Sequence, residues 1–240
     1  YLLKLKEELI KSKKELSQLI NKEQGKPLIE AEIEIDDCIE TINFYSQNAE
    51  EFLKDKNIDS SNKLFYQPVG VVAVISPWNY PFSTPFWAIV PALIAGNSVI
   101  FKPSEEVPFT GLRIKEVFDK TNFPEGIFEV IIGGKEEGRM LVNSDVDFIS
   151  FTGSVETGKE IMKNSSKKLH GISLELGGKD PAIICEDADL TLAAQGIVWG
   201  AFSNAGQVCT SIERVFAHKS IFNKLINLIL QETKKLKAGR

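Results

Sequence analysis

Histidine and cysteine are scarce in this chain. Its 240 residues include two histidines, His170 and His218, and three cysteines, Cys38, Cys185 and Cys209. The cysteines are widely spaced and form no CxxC pair, which argues against a disulfide framework and leaves zinc without a ligand set. No metal site is expected, and free thiols suit a reducing, cytoplasmic compartment. A basic excess is also lacking: 28 Lys and Arg stand against 33 Asp and Glu, a formal charge of −5. Binders of a phosphate backbone normally carry a basic face, so nucleic acid is not an expected partner. The apolar stretches around 69–76 and 86–96 are broken by Gly and Pro and fall short of the roughly 20 residues of a membrane helix. A soluble protein without a membrane partner is expected. Neither GxGxxG nor a Walker loop occurs. The chain opens on Tyr1 inside a helical pattern, and 234–240 reads as a helix running into a cap glycine, so both ends read as cut points.

Apolar residues make up 43% of the chain, enough for one large domain or two modest ones. Residues 1–54 predict two helices broken at Gly25-Lys26-Pro27, the second with Ala31, Ile35, Cys38, Ile42, Tyr45, Ala49 and Phe52 on one stripe and its acidic residues on a solvated face. Residues 55–67 lack helical period and fit a loop or an edge ribbon. Five β-rich runs follow at 69–75, 98–101, 127–132, 147–152 and 171–176, with helical patterns in the four intervals. Continuous apolar strands alternating with helices predict a doubly wound α/β unit, its parallel sheet covered on both faces. Ser83-Thr84-Pro85 predicts a hydroxyl cap before a first-turn proline. Beyond Gly178 the pattern predicts a strand at 181–185 with Cys185 in its core, a helix at 189–203, a strand at 214–217 and a last helix from about 220.

In open α/β sheets ligands bind outside the carboxyl ends of the strands. Those places hold Pro77-Trp78-Asn79-Tyr80, Lys102-Pro103-Ser104-Glu105, Gly133-Gly134, Gly153-Ser154, and Glu175 with Gly177-Gly178. Turns attract such residues anyway, but five polar or glycine-bearing strand ends together point to a site. The run at 151–158 is either a plain strand-to-helix turn or a phosphate site at a helix start. Lys102 and Glu105 are either a surface ion pair or a ribose clamp. Cys209, in a small and polar context after a helix, is either an inert thiol or a nucleophile. No histidine lies near it in sequence, so a base would have to be a carboxylate such as Glu175.

Six runs then stand in a telling order: Pro77-Trp78-Asn79-Tyr80-Pro81-Phe82, Pro91-Ala92-Leu93-Ile94-Ala95-Gly96-Asn97, Phe101-Lys102-Pro103-Ser104-Glu105, Phe151-Thr152-Gly153-Ser154, Leu174-Glu175-Leu176-Gly177-Gly178-Lys179 and Asn204-Ala205-Gly206-Gln207-Val208-Cys209. Together they resemble the aldehyde dehydrogenase superfamily over nearly the whole chain. The resemblance implies oxidation of an aldehyde to a carboxylic acid with NAD, NADP being possible. Cys209 would be the nucleophile, Glu175 the general base and Asn79 the oxyanion donor. Cofactor binding would fall to Trp78, Lys102, Ser104, Glu105, Gly133, Gly153, Ser154 and Leu176. The resemblance further implies a Rossmann-like NAD-binding domain over 1–177, an oligomerisation arm at 50–68, and the beginning of a catalytic domain over 178–240. The family's later Glu-Ile-Phe-Gly-Pro type motif, which grips the nicotinamide ribose, does not occur here. The expected whole is a homo-oligomeric enzyme acting on a small aldehyde, of which this chain would be a piece inactive alone; the alternative is a stand-alone cofactor-binding or assembly module without turnover.

Overall fold

The computed structural model describes residues 1–239. The chain divides into two compact units, Tyr1–Leu176 and a second that starts at Gly177.

The first unit opens with α1 (Leu2–Gln24) and α2 (Leu28–Phe52). Leu5, Leu9, Leu16 and Ile20 recur at helical spacing on α1 and are fully buried, as are Ala31, Ile35, Cys38 and Ile42 on α2. Gly25 separates the two helices at φ 92, a left-handed cap that glycine adopts without a Cβ penalty, and its N–H donates to the Asn21 carbonyl. The acidic face of α2 is not wholly solvated: Glu34 is buried, and Phe52 at the end of the apolar stripe is exposed. Next comes an exposed antiparallel ribbon, β1 (Lys56–Asn57) with β2 (Lys63–Leu64).

The remainder of this unit alternates strand and helix: β3 (Val71–Ile75), α3 (Ser83–Ile94), β4 (Ser98–Lys102), α4 (Pro108–Asp119), β5 (Phe128–Val130), α5 (Lys135–Val142), β6 (Phe148–Gly153), α6 (Val155–Ser165) and β7 (Gly171–Leu176). All strand pairs are parallel, in the order β5-β4-β3-β6-β7. Side chains alternate across a strand, so β3 serves two cores. Val72 and Val74 join Val99, Phe101 and residues of α1 to α4 on one face; Ala73 joins Ile149, Phe151 and residues of α5 and α6 on the other. This is the doubly wound arrangement that the sequence pattern predicts.

The α3 start departs from expectation. Ser83 and Thr84 do not cap it; the N-cap position is Phe82, and no side chain of that residue caps the helix. The Glu34 carboxylate, brought from α2, instead accepts the Phe82 and Ser83 N–H groups at 2.7 and 3.1 Å.

Gly70, at φ 124, turns the chain into β3. A Cβ there would lie 2.1 Å from Asp147 Oδ2, the oxygen that accepts the Val71 N–H at 2.7 Å. Gly70→Ala therefore combines positive-φ strain of about 1–2 kcal/mol with displacement of an exposed hydrogen bond worth about 1 kcal/mol. Thermal unfolding should show a midpoint lowered by roughly 5 °C or more; a shift under about 2 °C would mean that the turn adapts at little cost.

In the second unit β8 (Asp180–Ile184) pairs in parallel with β9 (Ile212–Ala217), and α7 (Leu190–Phe202) and α8 (Phe222–Thr233) supply its small core around Ala194, Ile197 and Leu225. Two expectations are corrected here. Cys185 lies one residue past β8 and is exposed, because the strand ends at Ile184. The last helix ends at Thr233 and not at Gly239.

Candidate functional site

Connections from β3 run outward in both directions: β4 and β5 lie on one side, β6 and β7 on the other. Two loops leave in opposite directions at such a switch point and open a crevice at the strand carboxyl ends. A cavity of about 330 Å³ lies there, lined only by residues of the first unit. Ile75, Ser76, Pro77 and Trp78 come from the end of β3; Lys102, Ser104 and Glu105 from the end of β4; Phe151, Thr152, Gly153 and Ser154 from the end of β6.

Lys102 is the buried cation among those lining this cavity. Its side chain is 5% exposed, its stem passes beneath Gly138 of α5, and Nζ donates to the Pro103 carbonyl at 3.0 Å. The Glu105 carboxylate, half exposed, stands 3.6 Å from Nζ. An ammonium has three N–H groups, so this pair offers a ligand both a donor and an acceptor. Ser154 is the N-cap of α6: its Oγ accepts the Thr157 N–H at 3.1 Å. The remaining first-turn amides and the helix dipole give this end of the cavity a preference for anions.

The far wall carries no residue-by-residue signature in the sequence. It comes from Lys135, Gly138, Arg139 and Val142 of α5 and from Thr157, Glu160, Ile161 and Asn164 of α6. Both sets repeat at i, i+3, i+4, i+7, the spacing of a single helix face, and that was the available signal. Glu160 ties the two helices together, accepting from Arg139 Nε at 2.9 Å, which holds its carboxyl below the usual carboxylate range.

Two sequence candidates lie outside the lining. At Gly133 the Cβ direction meets the Glu137 side chain at 2.3 Å, so the neighbouring Gly134 forms the wall. Its N–H donates to Glu137 Oε2 at 2.7 Å. Leu176 packs behind the wall, where a Cβ on Gly158 would come within 2.6 Å of it.

Asn79 is half-buried in the turn between β3 and α3, next to Trp78. Glu175 is exposed on β7, in register with Thr152 of the cavity wall. Cys209, in the second unit, is exposed. The backbone before it is unusual: Asn204 and Ala205 both have φ 55, and Gly206 has φ 78. Left-handed geometry costs an L-residue such as Ala205 roughly 1–2 kcal/mol, and strain of this kind concentrates at functional sites. A reciprocal clasp holds the turn, with Asn204 Nδ2 donating to the Gln207 carbonyl and Gln207 Nε2 to the Asn204 carbonyl, both at 3.0 Å. By contrast Cys38 is fully buried, and burial pushes its thiol well above the usual range.

A family model described as "Aldehyde dehydrogenase family" matches residues 1–240. The chain belongs to the aldehyde dehydrogenase family. Among its curated relatives, betaine aldehyde dehydrogenase of Bacillus subtilis (strain 168) is 36% identical over 243 residues, covering 99% of this chain and 50% of that protein. Two solved structures are similar throughout. Betaine aldehyde dehydrogenase from Staphylococcus aureus in complex with NAD+ matches with TM-score 0.95 and 36% identity, over 100% of this chain and 48% of that one. An NADP-dependent enzyme of E. coli matches with TM-score 0.95 and 31% identity, over 99% of this chain and 51% of that one. The chain thus spans about half the length of the aldehyde dehydrogenases it matches. Among its described residues no helix is long and apolar enough to cross a membrane.

Proposed function

We propose that the full-length protein carrying this chain oxidises an aldehyde to a carboxylic acid, with NAD held in the cavity of the first unit. The observation that carries this reading is the switch-point cavity with Lys102, Glu105 and the α6 start on its walls. These groups fit a dinucleotide: first-turn amides and Ser154 suit a pyrophosphate, and Lys102 with Glu105 suits ribose hydroxyls. Ser104 and Gly153 line the approach, Trp78 walls the end nearest Asn79, and Val142 and Ile161 give the α5–α6 slot apolar faces for a planar base. A bound dinucleotide would supply the hydride acceptor.

In the protein's own half of the chemistry, the Cys209 thiolate adds to the aldehyde carbon. The resulting oxyanion accepts hydrogen bonds from the Asn79 amide and the Cys209 N–H, a donor pair of which each member is worth about 3 kcal/mol. After oxidation a thioester remains on Cys209. Glu175 takes a proton from water as that water attacks the thioester, releasing the acid and the thiolate. The balance is one aldehyde, one water and one NAD+ converted to one acid, one NADH and one proton. The exposed β1–β2 ribbon suits an arm in a homo-oligomer, and free thiols suit a cytoplasmic setting.

NADH formation with a panel of aldehydes, betaine aldehyde included, tests this reading. No turnover with any of them by the folded full-length protein would sink it. A second reading is favoured by one fact, that the cavity wall comes wholly from the first unit: the chain binds NAD as a module without turnover. Calorimetry on the chain should show one NAD per chain, and a folded chain giving no heat of binding would remove both readings.

Glu105 sets the cofactor preference. Its carboxylate accepts from a 2′-hydroxyl but repels a 2′-phosphate, by about 1 kcal/mol per unit charge at ~4 Å even through bulk water. We expect kcat/KM to favour NAD, and Glu105→Ser to shift the NAD to NADP ratio by about 10-fold toward NADP. A parent enzyme faster with NADP would overturn the assignment.

A further inference from the structure

The chemistry above leaves unused a fully buried charged pair in the first unit. Lys26, in the break between α1 and α2, and Glu34, two turns into α2, both have fully buried side chains. Lys26 Nζ donates to Glu34 Oε2 at 2.5 Å and stands 4.0 Å from the centroid of the Tyr80 ring. The other oxygen, Glu34 Oε1, accepts the Phe82 and Ser83 N–H groups. Lys26 is itself held at the backbone: its N–H donates to Gln24 Oε1 at 2.8 Å, and its carbonyl accepts from Asn21 Nδ2 at 2.7 Å.

Such a pair is a poor device for stability alone. Desolvating two charges costs much of what their attraction returns, and apolar replacements of similar volume are often neutral or better. Burial here lowers the Lys26 pKa, and the Glu34 charge opposes that shift. The pair does something that an apolar pair would not. It ends on three residues of one short segment, Tyr80, Phe82 and Ser83, immediately after Trp78 and Asn79. Local hydroxyls at Ser83 and Thr84 were on hand to cap α3, yet the cap comes from another helix. A cap from within the segment would leave it free to pivot; a cap anchored on α2 does not.

We propose that Lys26 and Glu34 are positioning residues that fix the 77–83 segment and thereby the place at which Asn79 presents its amide. This deepens the functional reading and rests on Asn79 as the oxyanion donor. The decisive comparison is between two doubly neutral variants of similar volume. K26M/E34Q keeps an oxygen for the Phe82 and Ser83 N–H groups; K26M/E34L does not. In the chain itself, hydrogen exchange at these two amides should rise at least ~10-fold in the leucine variant and stay near the parent in the glutamine variant.

In the full-length protein the NADH burst rate should fall at least ~10-fold in K26M/E34L and under about 3-fold in K26M/E34Q, since small misplacement of a catalytic group costs large factors. The NAD dissociation constant should change by less than about 3-fold in both, because Lys102, Glu105 and the α6 start are untouched and only Pro77 and Trp78 of the cavity wall belong to the anchored segment. Equal exchange and equal burst rates in the two variants would overturn the proposal. Should the leucine variant fail to fold, K26M and K26R decide: a slowed burst in K26M that K26R restores supports positioning, and a parental burst with a lowered melting point overturns it. A parent without aldehyde-dependent NADH formation would sink the functional reading alone, and the exchange comparison would still judge the anchoring.

Discussion

Cys209→Ala in the full-length protein should reduce aldehyde-dependent NADH formation by about 10⁴-fold or more if Cys209 is the nucleophile proposed above, because alanine cannot hold the acyl carbon as a thioester. Hydrolysis of an activated ester should fall with it, since that reaction uses the same nucleophile without hydride transfer. NAD binding should be unchanged, because every residue lining the cavity lies at or before Asn164. The chain provides its own control. Cys185 is also an exposed free thiol, but it follows β8 without a strained turn before it. Cys185→Ala should retain parental kinetics. If it instead lost activity while Cys209→Ala kept more than about 1% of the parent rate, the nucleophile would have to be reassigned.

Glu175→Gln should separate the two halves of the reaction. The amide is isosteric but cannot take a proton, so the thioester should form and then persist. Rapid mixing should show a burst near one NADH per site, followed by a steady-state rate reduced by about 10²- to 10⁴-fold, the usual contribution of a general base. Mass spectrometry of the quenched enzyme should find the acyl group on Cys209. A steady-state rate equal to the parent would refute the role of Glu175, and a lost burst would move its function to the first half of the reaction. The side chain is exposed on β7, where water can reach it.

The class of the fold is legible in the sequence. Each strand of the first sheet is a short run rich in apolar residues, and each crossover carries a helical pattern, so a parallel, doubly wound sheet follows from local periodicity and chirality, whereas the strand order, and with it the switch point, does not. Lys102, Glu105, Gly153 and Ser154 were legible because a strand end is a defined place in a sequence. The wall formed by α5 and α6 was legible only as two helix faces, with nothing local to say that they face a cavity. The pattern extends the strand to Cys185 while the ladder ends at Ile184, because an apolar run does not show where its ladder stops.

Other features have no local signature at all. The left-handed turn at Asn204 and Ala205 can be guessed from Asn-x-Gly but not placed, since its strain is tolerated only where surrounding contacts hold it. The Glu34 cap spans 48 residues of sequence. Composition and periodicity settled the class of fold, the order of its elements and the residues at each strand end, because those depend on neighbours along the chain. Tertiary structure alone decided which acidic residue of α2 leaves water, which glycine of the 133–134 pair faces the cavity, and what caps α3. The reason is physical: burial, and the partner that makes a buried charge tolerable, are properties of what packs around a residue in space.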